Sequence, residues 1–179
     1  MNTTRKDITV VAENAPLRPA LIVSKHTVAH YSALLKHLLV GLTDDSIPVA
    51  LVCPLNCNVN SIICGAVEVM RYPAFELSLL RHQNIKILAE QLNRFEATCL
   101  HCLCESKLSL TRQLAGQLNL PYVLSINSLQ RWTARFSISL RRCAKIIVPT
   151  KSIAANIAEV CPNLANRIEQ INMGTFVEN

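Results

Sequence analysis

The sequence predicts a three-layer α/β domain of the Rossmann-like type, with a mostly parallel sheet and helices on both faces. Seven short apolar segments mostly alternate with segments whose apolar residues recur every three or four positions, which is the pattern of strands alternating with helices. Of the 179 residues, 50% are hydrophobic and 17% are charged. This composition is typical of a packed globular domain rather than of a disordered chain.

The predicted strands are short apolar runs bounded by loop-forming residues. They cover Ala20–Ser24, Ile47–Cys53, Ile62–Tyr72, Ala97–Cys104, Tyr122–Ile126, Lys145–Val148 and Ile168–Ile171. The second is apolar almost throughout, as expected of a strand that is covered on both faces in a parallel sheet. The last is predicted to be a short buried strand that leads into a turn at Gly174.

The predicted helices carry one apolar stripe each. They cover Thr27–Leu42, Leu77–Phe95, Ser106–Asn119, Arg131–Cys143 and a last helix that ends at Val160. Thr150 is expected to cap this last helix, since a hydroxyl before the first turn accepts a free backbone N–H. Residues 1–17 are predicted to form a loose arm and residues 18–179 the domain.

The formal net charge of +6 favours an anionic partner: a nucleotide diphosphate, a phospholipid surface or nucleic acid. A solvated basic face without a partner is the alternative. Nucleic acid is the least favoured partner, because aromatic residues are only 4% and no recognition motif is present. The longest apolar run, near Pro48–Leu55, is too short to span a bilayer, and Met1–Asn14 has no apolar signal region. A cytoplasmic chain is predicted, with peripheral membrane contact left open.

Eight cysteines are many for a cytoplasmic chain, and most are predicted to be free thiols in the core. The residue types of the cluster Cys99, His101, Cys102 and Cys104 are those that bind zinc. On a strand, however, successive side chains alternate between faces, so these four ligands cannot converge on one ion. No metal and no cofactor is expected.

Ligands of open parallel sheets bind beyond the carboxyl ends of the strands, near the point where the strand order reverses. Lys25 and His26 follow the first strand and are candidates for binding an anionic substrate group, with an ordinary exposed loop as the alternative. Asn127 and Ser128 follow the fifth strand and are further candidates for substrate binding. Thr150 follows the sixth strand, and either contacts substrate or serves only as the helix cap.

Four segments resemble the motifs of GT-B glycosyltransferases of the sugar-nucleotide type, and they occur in the same order and spacing. Phe95–His101 resembles the strand Ala-Asp-Val-Val-His-Ala-His, and Leu120–Asn127 resembles Ile-Pro-Val-Val-x-Thr-x-His. Cys143–Thr150 resembles Ala-Asp-x-Ile-Val-x-x-Ser, and Ile168–Gly174 resembles Val-x-Val-Ile-x-Asn-Gly. The resemblance covers residues 20–176.

The resemblance implies that this chain is the N-terminal, acceptor-side half of a family 4-like GT-B enzyme. It implies transfer of a glycosyl group from a nucleotide-sugar to an acceptor hydroxyl, with a glycan or lipid-linked acceptor. The donor would bind only with a second domain that this chain lacks, so the chain alone is expected to be inactive. The alternative is a stand-alone, non-catalytic Rossmann-like module that binds an anionic ligand or a protein partner.

The resemblance also implies roles for single residues. His101 matches the family histidine that points into the cleft near the transferred sugar, and is the candidate catalytic residue. A hydrogen-bonded core histidine is the alternative. Asn127 stands where the family has histidine, and Val23–Thr27 lacks the family's glycine-rich loop.

The predicted helix Arg131–Cys143 is basic and carries aromatic residues. Its cations, with one that follows it, are Arg131, Arg135, Arg142 and Lys145, and its aromatic residues are Trp132 and Phe136. Such a surface is typical of contact with an anionic membrane or an anionic acceptor. A solvated helix with its aromatic side chains in the core is the alternative.

Overall fold

A computed structural model describes residues 16–73, 81–128 and 138–172 of the chain. Residues 1–15 of the predicted N-terminal arm and most of the predicted basic helix therefore lie outside the described residues, as do Arg131, Arg135 and Gly174. None of the helices within the described ranges is long and apolar enough to cross a membrane.

The described residues build one seven-stranded sheet in which every neighbouring pair of strands is parallel. The strands are β1 (Pro19–Ile22), β2 (Val49–Pro54), β3 (Val67–Tyr72), β4 (Cys99–Cys102), β5 (Tyr122–Ser125), β6 (Cys143–Val148) and β7 (Ile168–Gln170). Their order in space is β3-β2-β1-β4-β5-β6-β7. The predicted parallel Rossmann-like sheet is confirmed, and its strand order reverses between β1 and β4.

Five α-helices connect the strands of the described ranges. They are α1 (Lys25–His30), α2 (Ser32–Asp44), α3 (Arg81–Arg94), α4 (Leu108–Leu118) and α5 (Lys151–Val160). Short 3₁₀ turns at Glu105–Lys107 and Pro162–Arg167 precede α4 and β7.

Two apolar clusters cover the two faces of the sheet, because successive strand side chains point in opposite directions. Ala20 and Ile22 of β1 belong to the larger cluster, which includes α3, α4 and α5. Leu21 and Val23 belong to the smaller cluster, which includes α1 and α2. Every residue of β1 and β2 is buried, which confirms the prediction of a strand covered on both faces.

The predicted helix Thr27–Leu42 is in fact two helices. The first begins earlier than predicted, because the Ser24 hydroxyl accepts a hydrogen bond from the Thr27 backbone N–H at 3.1 Å and so caps α1. Tyr31 then leaves helical geometry, with φ of −124° and ψ of 30°, and α2 starts after it.

The predicted strand Ile62–Tyr72 was too long by five residues. Ile62 is buried within a loop instead, and Gly65 adopts the left-handed φ of 60°, which an extended strand cannot contain. The strand itself starts at Val67.

The end of the predicted basic helix is also wrong within the described residues. The backbone N–H groups of Arg142 and Cys143 both donate to the carbonyl of Ser139, at 3.2 and 2.9 Å, so a turn precedes β6. Cys143 itself begins β6 and pairs with Tyr122.

The prediction that Ile168–Ile171 is buried is wrong. The strand β7 lies at the edge of the sheet, with Glu169 and Gln170 exposed and Ile171 49% exposed. An edge strand has a neighbour on one side only, so the apolar pattern did not require burial.

The cap on α5 gives a test of this architecture. Thr150 Oγ1 accepts a hydrogen bond from the Ile153 backbone N–H at 3.3 Å, which confirms the predicted cap. Thr150→Ala should lower the free energy of unfolding by about 1 kcal/mol, measured by urea denaturation. Thr150→Ser keeps the hydroxyl, so its free energy of unfolding should be close to that of the parent. Equal stability of all three proteins would contradict the cap.

Candidate functional site

A mainly apolar cleft of about 240 Å³ opens at the carboxyl ends of the strands, next to the point where the strand order reverses. The helices α1 and α2 and the residue between them contribute Thr27, Tyr31, Leu34, Leu35 and Leu38 to its wall. The strand ends contribute His101, Leu103, Ser125, Asn127, Ile147, Pro149, Ile171 and Asn172. The cleft lies at the edge of the sheet where the sequence predicts a ligand.

The two-residue period of the strands decides which side chains reach the cleft. His101 is on β4, Ser125 ends β5 and Ile147 is on β6, and the sheet register pairs these strands side by side. These three side chains share the face turned away from α3, α4 and α5, whereas Cys102 and Leu124 on the opposite face belong to the larger apolar cluster. The interruption between α1 and α2 adds Tyr31 to the wall of the same cleft.

His101 makes a short hydrogen bond at the polar end of this cleft. Its Nε2 lies 2.8 Å from Ser125 Oγ, and Ser125 is buried. Burial lowers the pKa of His101 from 6.5 to about 4, because the charged imidazolium loses its hydration. The ring is therefore neutral at pH 7, and its tautomer decides which of the two groups donates.

A neutral imidazole of this kind can orient a hydroxyl group but is a weak proton acceptor. A general base works best when its pKa lies near the working pH, and the pKa of His101 lies well below it. No carboxylate lines the cleft among the described residues, so the histidine has no acidic partner there. The arrangement is suited to hydrogen bonding of a neutral polar ligand.

Asn127 also lines the cleft, and its loop is fixed by an acidic side chain from the neighbouring connection. The Asn127 backbone N–H donates to Glu105 Oε1 at 3.2 Å, which ties the loop after β5 to the 3₁₀ turn after β4. The amide side chain of Asn127 can both donate and accept. Ser128 is exposed and is not among the residues that line the cleft.

Lys25 and His26 lie in a second pocket rather than in the cleft. This lysine pocket of about 420 Å³ is lined by Ser24, Lys25, His26, Pro54, Asn56, Ser106 and Lys107. Lys107 stands over the ring of Tyr72, with its Nζ 4.8 Å from the ring centre, and the Tyr72 hydroxyl donates to the Val23 carbonyl at 2.7 Å. The pocket sits where β1, β2 and β4 end, and its charged residues are all cationic.

The remaining predicted site residues that the structure describes do not join these two sites. Thr150 is the cap of α5 and lines neither pocket. Lys145 forms an exposed ion pair with Glu169 at 3.1 Å, so its charge already has a partner. Arg142 lines a third cavity beside α4.

All eight cysteines are free thiols, and Cys53, Cys57, Cys102 and Cys143 are buried. Burial raises the pKa of Cys102 to about 12, so this thiol stays protonated at neutral pH. Within residues 16–73, 81–128 and 138–172, no group of three His, Cys, Asp or Glu side chains could hold a metal ion.

Sequence reasoning missed Ser125 and the apolar walls of the cleft. Ser125 lies two residues before Asn127, so the strand period could have indicated that the two side chains share a face. The helical wall had no comparable signal, because Tyr31, Leu34 and Leu38 follow the same spacing as ordinary core residues.

Comparison with solved structures identifies the architecture. A glycosyltransferase from Rickettsia africae superposes with a TM-score of 0.73 and 10% identity, over 87% of this chain and 42% of that protein. Anabaena HepE, solved with UDP and glucose, gives a TM-score of 0.69 and 9% identity, over 89% and 45% of the two chains. The chain has the fold of one half of a GT-B glycosyltransferase.

The chain spans less than half the length of these GT-B proteins. The same fold occurs in a putative UDP-N-acetylglucosamine 2-epimerase from Listeria monocytogenes, with a TM-score of 0.59 and 11% identity over 86% of this chain and 44% of that protein. Neither a protein-family model nor a curated protein sequence matches the chain. The likeness therefore concerns the GT-B half as a fold.

The buried histidine predicts how stability depends on pH. The unfolded chain binds a proton at His101 near pH 6.5, whereas the folded chain binds it only near pH 4. The contribution of the neutral imidazole to the free energy of unfolding is therefore complete above pH 6.5. It is lost as the pH falls toward 4, and the loss amounts to roughly 3 kcal/mol. Urea denaturation between pH 6.5 and 4 should show that the free energy of unfolding falls less steeply with decreasing pH for His101→Gln than for the parent.

The matched control for this experiment is His82→Gln, which removes an exposed histidine of α3. This variant should retain the slope of the parent between pH 6.5 and 4. If His101→Gln also retains that slope, the burial of the neutral imidazole is not what lowers stability in acid.

Proposed function

We propose that this chain is the acceptor-binding N-terminal half of a glycosyltransferase that moves a glycosyl group from a nucleotide-sugar to an acceptor hydroxyl. The observation that carries the proposal is the apolar cleft with the His101–Ser125 pair at the carboxyl ends of the strands of a GT-B half. Such an edge is where open α/β sheets bind their ligands.

The walls of the cleft favour an acceptor with an apolar portion beside its hydroxyl group. The apolar side chains of the lining include Tyr31, Leu34, Leu38, Ile147 and Ile171. Leu34 and Ile171 are 36% and 49% exposed. Apolar surface of this kind gains free energy when a ligand covers it. Of the two acceptor classes that the sequence predicts, a lipid-linked acceptor fits these walls better than a bare glycan.

The polar groups at the end of the cleft would orient the acceptor. In this proposal the neutral His101 and the amide of Asn127 hydrogen-bond the acceptor hydroxyl or the incoming sugar, while Ser125 fixes the imidazole ring. Because the pKa of His101 is about 4, its contribution is positioning rather than removal of a proton at neutral pH. A base for the transfer would come from the acceptor, the donor or the second domain.

The lysine pocket would help to bind the donor. Lys25, His26 and Lys107 surround a pocket without carboxylates, and a nucleotide-sugar carries a diphosphate. Anabaena HepE, which shares the fold, was solved with UDP and glucose. In this proposal the second domain holds most of the donor, and the lysine pocket contributes positive charge from this half.

A second candidate is non-catalytic binding of a ligand by the same cleft. It is favoured by the lack of any carboxylate in the cleft lining within the described residues, since proton transfer at neutral pH then has no evident acceptor. The two candidates share the ligand site and differ in whether a donor is consumed.

The acceptor proposal is tested by thermal stabilisation of this chain. A short-chain alkyl glycoside should raise the melting temperature more than the corresponding free sugar, because its alkyl chain covers the apolar walls. Leu34→Glu should abolish the difference, whereas Ile87→Glu, which alters an exposed residue of α3, should preserve it. Equal stabilisation by both compounds, or an equal effect of both variants, would count against the apolar acceptor.

The role of His101 is tested with the same ligand. His101→Ala removes one polar contact and should raise the dissociation constant of the alkyl glycoside by roughly 3–10-fold, as expected from the loss of one hydrogen bond. His37→Ala, which alters a histidine of α2 that does not line the cleft, is the matched control. Unchanged binding by His101→Ala would remove the histidine from the site.

A further inference from the structure

A third cavity, here named the arginine cavity, lies beside the amino ends of β5 and β6. It has a volume of about 240 Å³ and is lined by Ser109, Arg112, Gln113, Ser139 and Arg142. It shares no lining residue with the cleft or with the lysine pocket. Among the residues that the structure describes, its lining contains two arginines and no carboxylate.

One wall of the arginine cavity is the polar face of α4. Ser109, Arg112 and Gln113 are spaced three and four residues apart and so share a face, and Gln113 Nε2 donates to Ser109 Oγ at 3.2 Å. Leu110 and Leu114 of the same helix are buried in the core. The packing of these leucines fixes the helix and directs its polar face to the cavity.

The other wall is the turn that precedes β6. The Ser139 backbone N–H donates to the hydroxyl of Tyr122 at 2.9 Å, and Tyr122 is fully buried. The Arg142 backbone N–H in turn donates to the Ser139 carbonyl and hydroxyl at 3.2 and 3.3 Å. The backbone of Arg142 is therefore tied through Ser139 to a core tyrosine.

Within the described residues, neither arginine of the cavity has the carboxylate partner that two other cations have. Arg18 pairs with Glu96 at 2.8 Å and Lys145 pairs with Glu169. Neither Arg112 nor Arg142 forms an ion pair within the part of the chain that the structure describes. Arg112 Nε is buried and has no hydrogen-bond partner, which is costly for an arginine donor.

We propose that the arginine cavity binds a phosphate group between Arg112 and Arg142. The planar guanidinium group presents paired donors that match the oxygens of a phosphate, and the hydroxyls of Ser109 and Ser139 line the same space. Bound phosphate would relieve the repulsion between the two cations and offer an acceptor near Arg112. The phosphate belongs either to a phospholipid headgroup or to a small soluble phosphate compound, and the site does not depend on the acceptor role of the cleft.

The first test is titration of this chain with inorganic phosphate, followed by NMR or calorimetry. Arg112→Gln and Arg142→Gln should each weaken binding by about tenfold or more, because each removes charge-assisted hydrogen bonds. The matched control is Arg141→Gln, which removes an equal charge from the same turn at an exposed residue outside the cavity lining. This control should bind phosphate as the parent does.

Two further measurements separate the source of the phosphate from loss of folding. Arg112→Lys keeps the charge but loses the paired donors, so it should fold with a normal melting temperature and still bind phosphate more weakly. Vesicles of phosphatidylcholine mixed with phosphatidylglycerol should sediment the parent more than Arg142→Gln if the natural ligand is a headgroup. Binding of inorganic phosphate without vesicle binding indicates a soluble phosphate compound.

The proposal is overturned by either of two results. An equal loss of binding in Arg141→Gln and Arg142→Gln would show that only the overall positive charge attracts the anion. If the parent chain binds neither inorganic phosphate nor the acidic vesicles, the cavity holds no phosphate site.

Discussion

The burial of β1 and β2 on both faces is the constraint on which the rest of this structure depends. Every residue of these two strands is buried, so helices must cover both sides of the sheet centre. The connection after β1 passes to one face, where α1 and α2 pack, while α4 after β4 covers the other. The two connections diverge where β1 and β4 lie side by side, and this divergence leaves space at the carboxyl ends of the strands for the cleft and the lysine pocket.

The chemistry of the cleft follows from the same arrangement. The strand period places His101 and Ser125 on one face, and parallel pairing of β4 with β5 brings them within 2.8 Å. The apolar helices that close the cleft also remove water from the imidazole, which lowers its pKa. A histidine that sequence resemblance alone would assign to catalysis is thereby suited to orienting a ligand in its neutral form.

The three cavities have different chemical characters because different elements line them. The cleft takes apolar side chains from the stripe of α2, and the lysine pocket takes cations from the start of α1 and from the 3₁₀ turn before α4. The arginine cavity takes the polar face of α4. Proteins with about 10% identity share this fold because the strand and helix patterns, rather than individual residues, determine it. The loops and helix faces are free to differ, and they decide which ligands each half accepts.

The sequence by itself determined the architecture. Alternation of apolar strands with striped helices predicted the parallel sheet, and the apolar run at Ile47–Cys53 predicted a strand buried on both faces. The strand ends also indicated the edge of the sheet at which the cleft opens, and Thr150 was predicted as a cap from its residue type and position alone. These features are local or periodic, so they can be read without knowledge of which elements touch.

Only the tertiary structure decided which residues from distant parts of the chain contact one another. The pairing of His101 with Ser125 joins residues 24 positions apart, and the contact of Tyr122 with Ser139 joins residues 17 positions apart. The spacing of residues along the sequence does not predict either contact, because each depends on which strands are neighbours and on their register. Strand order and register also explain three other outcomes. They place Lys25 and His101 in different pockets, bring Lys145 beside Glu169 and leave β7 exposed at the edge. Which strands are neighbours, and which strand is left at the edge, is a property of the assembled sheet and not of any one segment.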